Sequence, residues 1–568
     1  MAPLSNPCAA EIAAHIAALT GVAVADLKID QPPRVELGDF AIAMFPAAKL
    51  TKEAPPAVAA RVARDLPRGG LIAEATATGP FVNVKVDRAA AIALAIDAAS
   101  GKRRLVPDLG EGGVVCIDYS SPNISKHLAY HHIRSTMLGH ALVKMHEALG
   151  YRVVRINHLG DWGTTHGMLL AAYQRWGQGA AVDVTRLNEL YVQYREAMKT
   201  DESLAGEART WFKRLEDGEP AARAQWKTFR DVSLAEFEGA YRMLGVAFDD
   251  VNGESFYEDK MAEVLDLIAS QDRSSESEGA LVMQLPGEKT PLLLKTTDGT
   301  TLYATRDLAA ALYRWRTYHF TRSLYVVDRG QSLHFRQLFA ALGLLGFEWA
   351  ARCQHVPFGL VRFGGKKTST RAGAVLLKEV FREATDQVRA VIREHNADMP
   401  EAQLDATAEL VGVGAVVFAN VLPQRDRDID FELDKVLSLQ GDSGPYLHYN
   451  VARCYSIERK AGVAATGTPD LGRLTHDAEW AVARRLLDFG DHVARAAAGC
   501  EPHIVAHYLL ELAGAFAYWY TLGSGDPALR ILCDDEPTRV ARLALMRALR
   551  ETLIAGMALL GLTAVEVM

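Results

Sequence analysis

No two of the six cysteines form a CxxC pair: Cys8, Cys116, Cys353, Cys454, Cys500 and Cys533 are scattered along the chain. Neither a zinc knuckle nor a disulfide framework has the spacing it needs, and a reducing, cytoplasmic compartment is expected. An excess of positive charge is also missing. With a net charge of −8, general binding of polyanions is excluded, because that affinity comes from Lys and Arg neutralising phosphates. A structured RNA held by local basic faces remains open. There is no Gly- or Ser-rich tract, and 23% charged residues stand beside 49% hydrophobic ones, which excludes disorder as a general reading. The N-terminus lacks a basic segment followed by an unbroken apolar core, and no run reads as long enough to cross a bilayer. A soluble globular chain is expected, and 568 residues suggest about three domains.

What the chain does have is a strand, a turn and a helix start placed together. Residues 114–117 are a short apolar run and Ser120-Ser121-Pro122-Asn123 is a turn. Apolar spacing then predicts a helix from about Lys126 through Leu149. Residues 151–156 follow as a second strand. Two parallel strands joined in this way put both following loops at one sheet edge, where unpaired N–H groups and a helix dipole attract phosphate. The second loop reads Asn157-His158-Leu159-Gly160-Asp161-Trp162-Gly163-Thr164. Phosphate chemistry is therefore the first expectation.

Around this centre the chain divides in three. Residues 1–105 read as a small α/β domain, with helical spacing over 9–19, a turn at Gly38-Asp39-Phe40 and an alternating strand over 79–86. Residues 106–432 carry the strand–helix pattern, with a charged, mainly helical insertion at about 185–275 and strand-like segments at 280–285, 292–294, 325–327 and 355–360. Residues 433–568 lack strands; apolar spacing over 447–460, 479–498, 503–520 and 538–560 predicts an all-helical bundle. Arg539, Arg542, Arg547 and Arg550 recur on its last helix; taken singly they read as a solvated basic face, and as a nucleic-acid face once the rest of the chain calls for RNA.

Widely separated segments combine into one resemblance. Asp118-Tyr119-Ser120-Ser121-Pro122-Asn123 with Lys126 and Arg134-Ser135-Thr136, the loop 157–163, Tyr303-Ala304-Thr305-Arg306-Asp307 and Gln331-Ser332-Leu333-His334 resemble the active-site segments of class I arginyl-tRNA synthetases. Lys367-Thr368-Ser369-Thr370-Arg371-Ala372-Gly373 looks like the family's version of the KMSK loop. Gly441-Asp442-Ser443-Gly444-Pro445-Tyr446-Leu447 and the terminal Leu559-Leu560-Gly561 look like its helical anticodon-binding domain. Gly38-Asp39-Phe40 and Gly79-Pro80-Phe81-Val82-Asn83 are similar to its N-terminal tRNA-elbow domain. The resemblance covers nearly the whole chain and implies an α/β fold: a Rossmann-like class I catalytic domain between an N-terminal α/β domain and a C-terminal all-α bundle. It also implies an arginine–tRNA ligase. In such an enzyme the carboxylate of L-arginine attacks the α-phosphorus of ATP, giving arginyl-adenylate and pyrophosphate. A ribose hydroxyl at the 3′ end of tRNA(Arg) then takes the arginyl group. ATP with Mg2+, no tightly bound metal, and a monomer away from membranes are the accompanying expectations.

The residue roles follow from the same resemblance. A planar guanidinium wants carboxylates and hydroxyls in fork geometry, and the family pattern implies Asp307 as its main partner with Tyr303 and Asp118 beside it. Tyr303 and Asp307 share a face if their segment is helical. Ser121, Asn123 and Gln331 are implied at the α-amino and carboxylate ends. Lys126, His132, Lys367, Ser369 and Arg371 are implied as donors aimed at phosphoryl oxygens, with Lys366 adjacent. His131, His132, Gly160, Asp161, His334, Thr368, Ser369 and Thr370 are implied around the nucleotide. Without the resemblance these residues have plainer fates as caps, turns and surface charges.

One departure stands at the helix entrance. Where the family has His-x-Gly-His this chain reads Ala129-Tyr130-His131-His132, so the first imidazole is absent and a side chain fills the space a glycine leaves. Thr165 and His166 stand where the family usually has Gln and Phe. A repurposed paralogue, retaining arginine or tRNA binding with altered or lost ATP use, is the alternative of the same fold. From other classes, His127 and His131 are four apart on the expected helix, a spacing able to hold zinc. Gly365-Lys366 fits a P-loop poorly, since Leu360 and Lys367 occupy the positions of its first glycine and its Ser/Thr. A scaffold role would leave the polar residues at four strand ends unexplained.

Overall fold

The computed structural model describes residues 5–178, 182–296, 303–363, 366–367, 375–462 and 468–568. The chain forms two compact units, one of residues 110–391 with 412–437, the other of 1–109, 392–411 and 438–568.

The first unit is built on a parallel sheet. Its strands are β1 (Val114–Asp118), β2 (Arg152–Ile156), β3 (Arg322–Tyr325) and β4 (Cys353–His355), hydrogen-bonded in the order β2-β1-β3-β4 with every pairing parallel. The order reverses between β1 and β3, which makes their carboxyl ends the natural crevice of the sheet. Helix α1 (His132–Ala148) crosses from β1 to β2 and is buried along most of its length. Helix α2 (Tyr303–Tyr318) precedes β3, and α3 (Ser332–Leu344) follows it. Between β2 and α2 lies the expected insertion, helical over Val184–Ala197, Ser203–Glu216 and Pro220–Met243. It has a core of its own around Trp162, Leu170, Leu187, Tyr194, Phe212 and Phe229. Two expected strands shift: 325–327 becomes Arg322–Tyr325, and 355–360 splits into Cys353–His355 and Val361–Phe363.

The expected helix start at Lys126 is corrected to His132. The chain from Ser120 to His131 is held in irregular backbone, with positive φ at Ser120, Ser121 and Ser125. Its amides are taken by distant partners: Ser125 N donates to Ser233 Oγ (2.8 Å) and Tyr130 N to Val375 O (2.9 Å). The premise of the zinc alternative, two histidines on successive helical turns, fails with it, and His127 instead bonds Glu236 (2.5 Å) and Thr185 (3.2 Å).

In the second unit, Ile29–Asp30, Phe40–Ala43, Phe81–Val86 and Ile72–Thr78 form an antiparallel sheet in that order. The C-terminal helices are Gly444–Ala461, Asp477–Leu487, Phe489–Gly499, His503–Gly525 and Glu536–Leu559. The helix expected over 479–498 is therefore two, broken at Asp488, whose carboxylate accepts from Asn6 (2.6 Å). Asp39 joins sheet and helices by accepting from Val86 N (2.9 Å) and Trp480 Nε1 (2.8 Å). Gly38 has φ +136°, and a Cβ there would lie 2.8 Å from Val84 O, so the turn requires glycine. The arginines of the last helix are engaged within the protein, which corrects both the solvated face and the nucleic-acid face expected of them. Arg542 is buried against Glu479 (2.6 Å), Arg547 and Arg550 bond Glu458, and Arg539 donates to Cys533 O (2.8 Å).

Contrary to the sequence expectation, one described helix, Glu401–Val421, is long and apolar enough to cross a membrane, with 72% of its apolar window buried inside the protein. A core helix passes the same test. All six cysteines are buried thiols outside any disulfide.

Candidate active site

A cavity of about 820 Å³ opens at the carboxyl ends of β1, β2 and β3. Asp118, Ser120, Ser121 and Asn123 line it from the turn after β1, and His131, His132 and Ser135 from the head of α1. His158 and Gly160 come from the loop after β2, and Val326 to Asp328, Gln331 and His334 from beyond β3. Tyr303, Asp307, Ala310 and Arg314 come from one face of α2, at helical spacing.

A buried polar network fixes the turn after β1. Ser120 N donates to Ser135 Oγ (3.0 Å), which donates in turn to Val326 O (2.7 Å). Ser120 Oγ meets Tyr241 Oη (2.8 Å) and Thr136 Oγ1 (2.9 Å). Asn157 accepts from Ser121 N (3.1 Å) and donates to Tyr241 (3.2 Å). Such a network over-determines the two consecutive positive-φ serines, a conformation that is otherwise costly.

The loops after β1 and β2 are also stitched together, Gly160 N donating to Pro122 O (3.1 Å) and Ile124 N to Gly160 O (3.2 Å). A Cβ on Gly160 would stand 1.9 Å from Asn123 Oδ1. Since the obstructing atom ends a side chain, Gly160→Ala is expected to push the Asn123 amide aside and leave the fold standing. Losing one hydrogen bond to a charged substrate group corresponds to about a 10- to 100-fold loss in kcat/KM, to be read in steady-state kinetics beside an unchanged melting temperature.

The acidic end of the cavity is at Asp307. Its Oδ2 bonds His334 Nε2 (2.6 Å) and its Oδ1 lies 3.6 Å from His158 Nε2. Burial would raise the Asp307 pKa, yet the bond from His334 and the neighbouring His158 hold its carboxyl below the usual range. Glu254, paired with Arg306 at 3.3 Å, also lines the cavity. Its carboxyl is pushed up to about 7 by burial, with Asp307 and Asp161 adding to the rise and Arg306 opposing it. Tyr303 is 55% exposed at the rim, its ring 4.9 Å from that of His334.

At the head of α1 the rings of His131 and His132 lie 4.1 Å apart. His132 Nδ1 is taken by the backbone of Ala129, 3.0 Å from its N and 3.1 Å from its O. Burial first, then His131, pulls the His132 pKa down to about 3, so its ring is neutral. Burial and then Lys126 lower that of His131.

Among the expected site residues the cavity thus gathers Asp118, Ser121, Asn123, His131, His132, Gly160, Tyr303, Asp307, Gln331 and His334. It does not gather two others. Lys126 lies over the Tyr191 ring at 4.9 Å, drawn to the insertion. Asp161 is fully buried, accepting from Ser255 N (2.9 Å), Ser255 Oγ (2.8 Å) and Arg230 Nε (3.1 Å); its carboxylate braces the insertion. Thr368, Ser369, Thr370 and Arg371 fall outside the described residues, as do the side chains of Lys366 and Lys367. His166, one of the departures, is buried, its pKa lowered to about 4 chiefly by burial. Sequence reasoning missed Glu254 and Arg314 and named His158 only as part of a loop. Arg314 had a signal, standing seven residues after Asp307 on one helix face, whereas Glu254 had none.

Matches to known families follow the same order along the chain. Residues 7–86 match the arginyl tRNA synthetase N terminal domain, 96–433 the class I (R) tRNA synthetase catalytic domain, and 447–568 the DALR anticodon binding domain. An arginine–tRNA ligase of Exiguobacterium sibiricum is 42% identical over 554 residues, 95% of each chain. One of Ligilactobacillus salivarius is 41% identical over 544 residues, 94% of this chain and 95% of its own. The solved arginyl-tRNA synthetase of Thermus thermophilus superposes with a TM-score of 0.84 at 29% identity, covering 98% of this chain and 99% of its own. A strand-end cavity with a carboxylate at its acidic end, and matches that run almost from one terminus to the other, place this chain in the class I arginyl-tRNA synthetase family.

Proposed function

We propose that the cavity binds L-arginine and ATP side by side and forms arginyl-adenylate, from which the arginyl group passes to the 3′ end of tRNA(Arg). The observation that carries this reading is Asp307, an ionised carboxylate at a cavity wall whose partners are imidazoles, beside Glu254 and Tyr303. A guanidinium offers five N–H donors in a plane, enough to engage both carboxylates and the phenol. Ser121, Asn123 and Gln331 then meet the amino-acid end. The imidazoles of His131 and His132, at the helix start, lie where a phosphate would be drawn, and the loop of Lys367, Ser369 and Arg371 completes the set.

Adenylate formation is displacement at phosphorus, driven by alignment of carboxylate and α-phosphate and by donors waiting for the charge that develops on the oxygens. Among the described residues no group of three His, Cys, Asp or Glu side chains is placed to hold a metal ion. Magnesium is proposed only as the counter-ion of the triphosphate. The tRNA reading draws support from the helical unit, where Arg453 lies 4.5 Å over Tyr449 and 4.7 Å over Tyr520. Both tyrosines are exposed, and open aromatic rings beside a guanidinium suit unstacked bases. A cytoplasmic monomer belongs to the same proposal.

The test is arginine-dependent exchange of pyrophosphate into ATP, run with and without tRNA(Arg), followed by charging of that tRNA. Exchange in at least one condition, with charging, is the expected result. Its absence in both, with arginine still bound, would instead favour a paralogue whose altered entrance, Ala129 to His132, no longer uses ATP.

A further inference from the structure

The last long helix of the insertion, Pro220–Met243, holds both loops of the sheet edge from one side. Trp226, Arg230, Ser233 and Tyr241 recur on it at helical spacing. Trp226 Nε1 donates to Asp161 O (2.8 Å) and Arg230 Nε to the Asp161 carboxylate (3.1 Å), both in the loop after β2. Ser233 takes the amide of Ser125, between β1 and α1. Of the four, Tyr241 is the one that reaches the turn carrying Ser120 and Ser121. It is buried, its ring edge-on to Phe248 at 5.0 Å, and Phe248 packs on Tyr119 at 4.8 Å. It stands behind the turn, outside the residues that line the cavity.

The Tyr241 hydroxyl has two partners. Asn157 Nδ2 donates to it at 3.2 Å, and Ser120 Oγ lies 2.8 Å away. Ser121 N–H needs an acceptor and finds it in Asn157 Oδ1 (3.1 Å). That bond turns the other end of the Asn157 amide, its NH2, towards Tyr241. Without the phenol oxygen, a buried NH2 and a buried hydroxyl lose their common partner, and leaving such groups unmet costs more than the bond itself contributes. Ser120 and Ser121 have φ of +70° and +47°, which side chains adopt only where the surroundings impose it. Burial pushes the Tyr241 pKa up to about 12, so the phenol stays protonated across the working range.

We propose that Tyr241 is a positioning residue for amino-acid recognition, one that fixes the Ser120–Ser121 turn by meeting Ser120 and Asn157 together. It thereby sets the Ser121 hydroxyl, which donates to Asp118 Oδ1 at 2.9 Å, so that both side chains are presented to the substrate as a formed pair. Tyr241 touches no reacting atom and acts through the turn. The insertion is on this account part of the arginine site as well as a neighbour of it, and the inference rests on arginine occupying this cavity.

The experiment measures arginine-dependent pyrophosphate exchange by the full-length protein with tRNA(Arg) present, at varied arginine and ATP, beside melting temperatures. The variants are Tyr241→Phe, Ser120→Ala, their double, and Trp226→Phe. Tyr241→Phe removes one oxygen and keeps the ring against Phe248. Its KM for arginine is expected to rise by about tenfold or more, with the KM for ATP within about twofold of the parent. The double variant should be no worse than the more affected single one, because both singles lose the same contact. Trp226→Phe takes one hydrogen bond from the same helix to the other loop. It should lower the melting temperature as Tyr241→Phe does and keep the parent KM for arginine. Should Tyr241→Phe not fold, Ser120→Ala removes the shared contact from the side of the turn, and an unchanged KM for arginine there overturns the inference. It is also overturned if Tyr241→Phe keeps the parent KM for arginine, if the two KM values rise together, if the effects of the singles multiply in the double, or if Trp226→Phe raises the arginine KM equally. Failure of the underlying reading looks different: the parent protein itself would then show no arginine-dependent exchange.

Discussion

Asp307→Asn is expected to raise the KM for arginine by about 100- to 4000-fold while leaving that for ATP within about threefold. Removing one member of a buried charge pair costs about 3–5 kcal/mol, and each 1.4 kcal/mol is a factor of ten. Asparagine keeps the volume and one acceptor, so the loss reports charge and not a cavity. The carboxyl is ionised near neutrality, because His334 and His158 outweigh the effect of burial. The substrate's guanidinium thus meets a formed anion and displaces an imidazole to reach it. Glu254 adds a pH dependence to the same measurement. Its pKa stands at about 7, chiefly through burial, so it is partly protonated at neutrality. A cation bound beside it favours the ionised form, and the KM for arginine is expected to climb as the pH falls below 7. Exchange kinetics at varied arginine and ATP, repeated between pH 6 and 8, decide both points. An unchanged arginine KM in Asp307→Asn would remove this carboxylate from the site.

The parts of this site that could be read from sequence are those set by local periodicity. The apolar run before Asp118 and the β-branched run before Asn157 became neighbouring parallel strands, and the spacing of Tyr303 and Asp307 became one helix face. The misreadings come from tertiary partners distant in sequence. Helical spacing after Lys126 looked sound, but Ser233 and Val375 take the amides of Ser125 and Tyr130, and the helix starts a turn and a half later. Lys126 and Asp161 carry the charges expected at a nucleotide, yet Tyr191 and the pair Ser255 and Arg230 claim them from the insertion. Glu254 reaches the cavity only because that insertion returns the chain to the sheet edge. The change from His-x-Gly-His to Ala129-Tyr130-His131-His132 was plain in the sequence. Where the rings go was not: both line the cavity, 4.1 Å apart and tilted 37° to each other.

Acid is expected to weaken the catalytic unit more than the helical one. His132, His140, His146 and His166 in the former have pKa values pulled down to about 3, 4, 4 and 4, in each case chiefly by burial, against one such residue, His448 at about 4, in the latter. A histidine whose folded pKa lies below its unfolded value of about 6.5 leaves the unfolded state holding more protons, so stability falls as pH drops from about 6.5 towards 4. The slope is about 1.4 kcal/mol per pH unit per histidine. Between pH 6.5 and 5, with the slope only half developed at the start, four such groups remove about 7 kcal/mol. Glu254 works the other way. Its raised carboxyl takes a proton more readily folded than unfolded, which returns about 2 kcal/mol over the same descent. The net loss, on the order of 5 kcal/mol, is comparable to the whole stability of many domains. Urea unfolding followed at pH 7 and pH 5 should show the midpoint of the catalytic unit moving to much lower urea, with a smaller shift for the helical unit. Equal midpoints at the two pH values would mean that these histidines are charged in the folded protein, and a charged His132 at the head of α1 would change the account of the phosphate site as well.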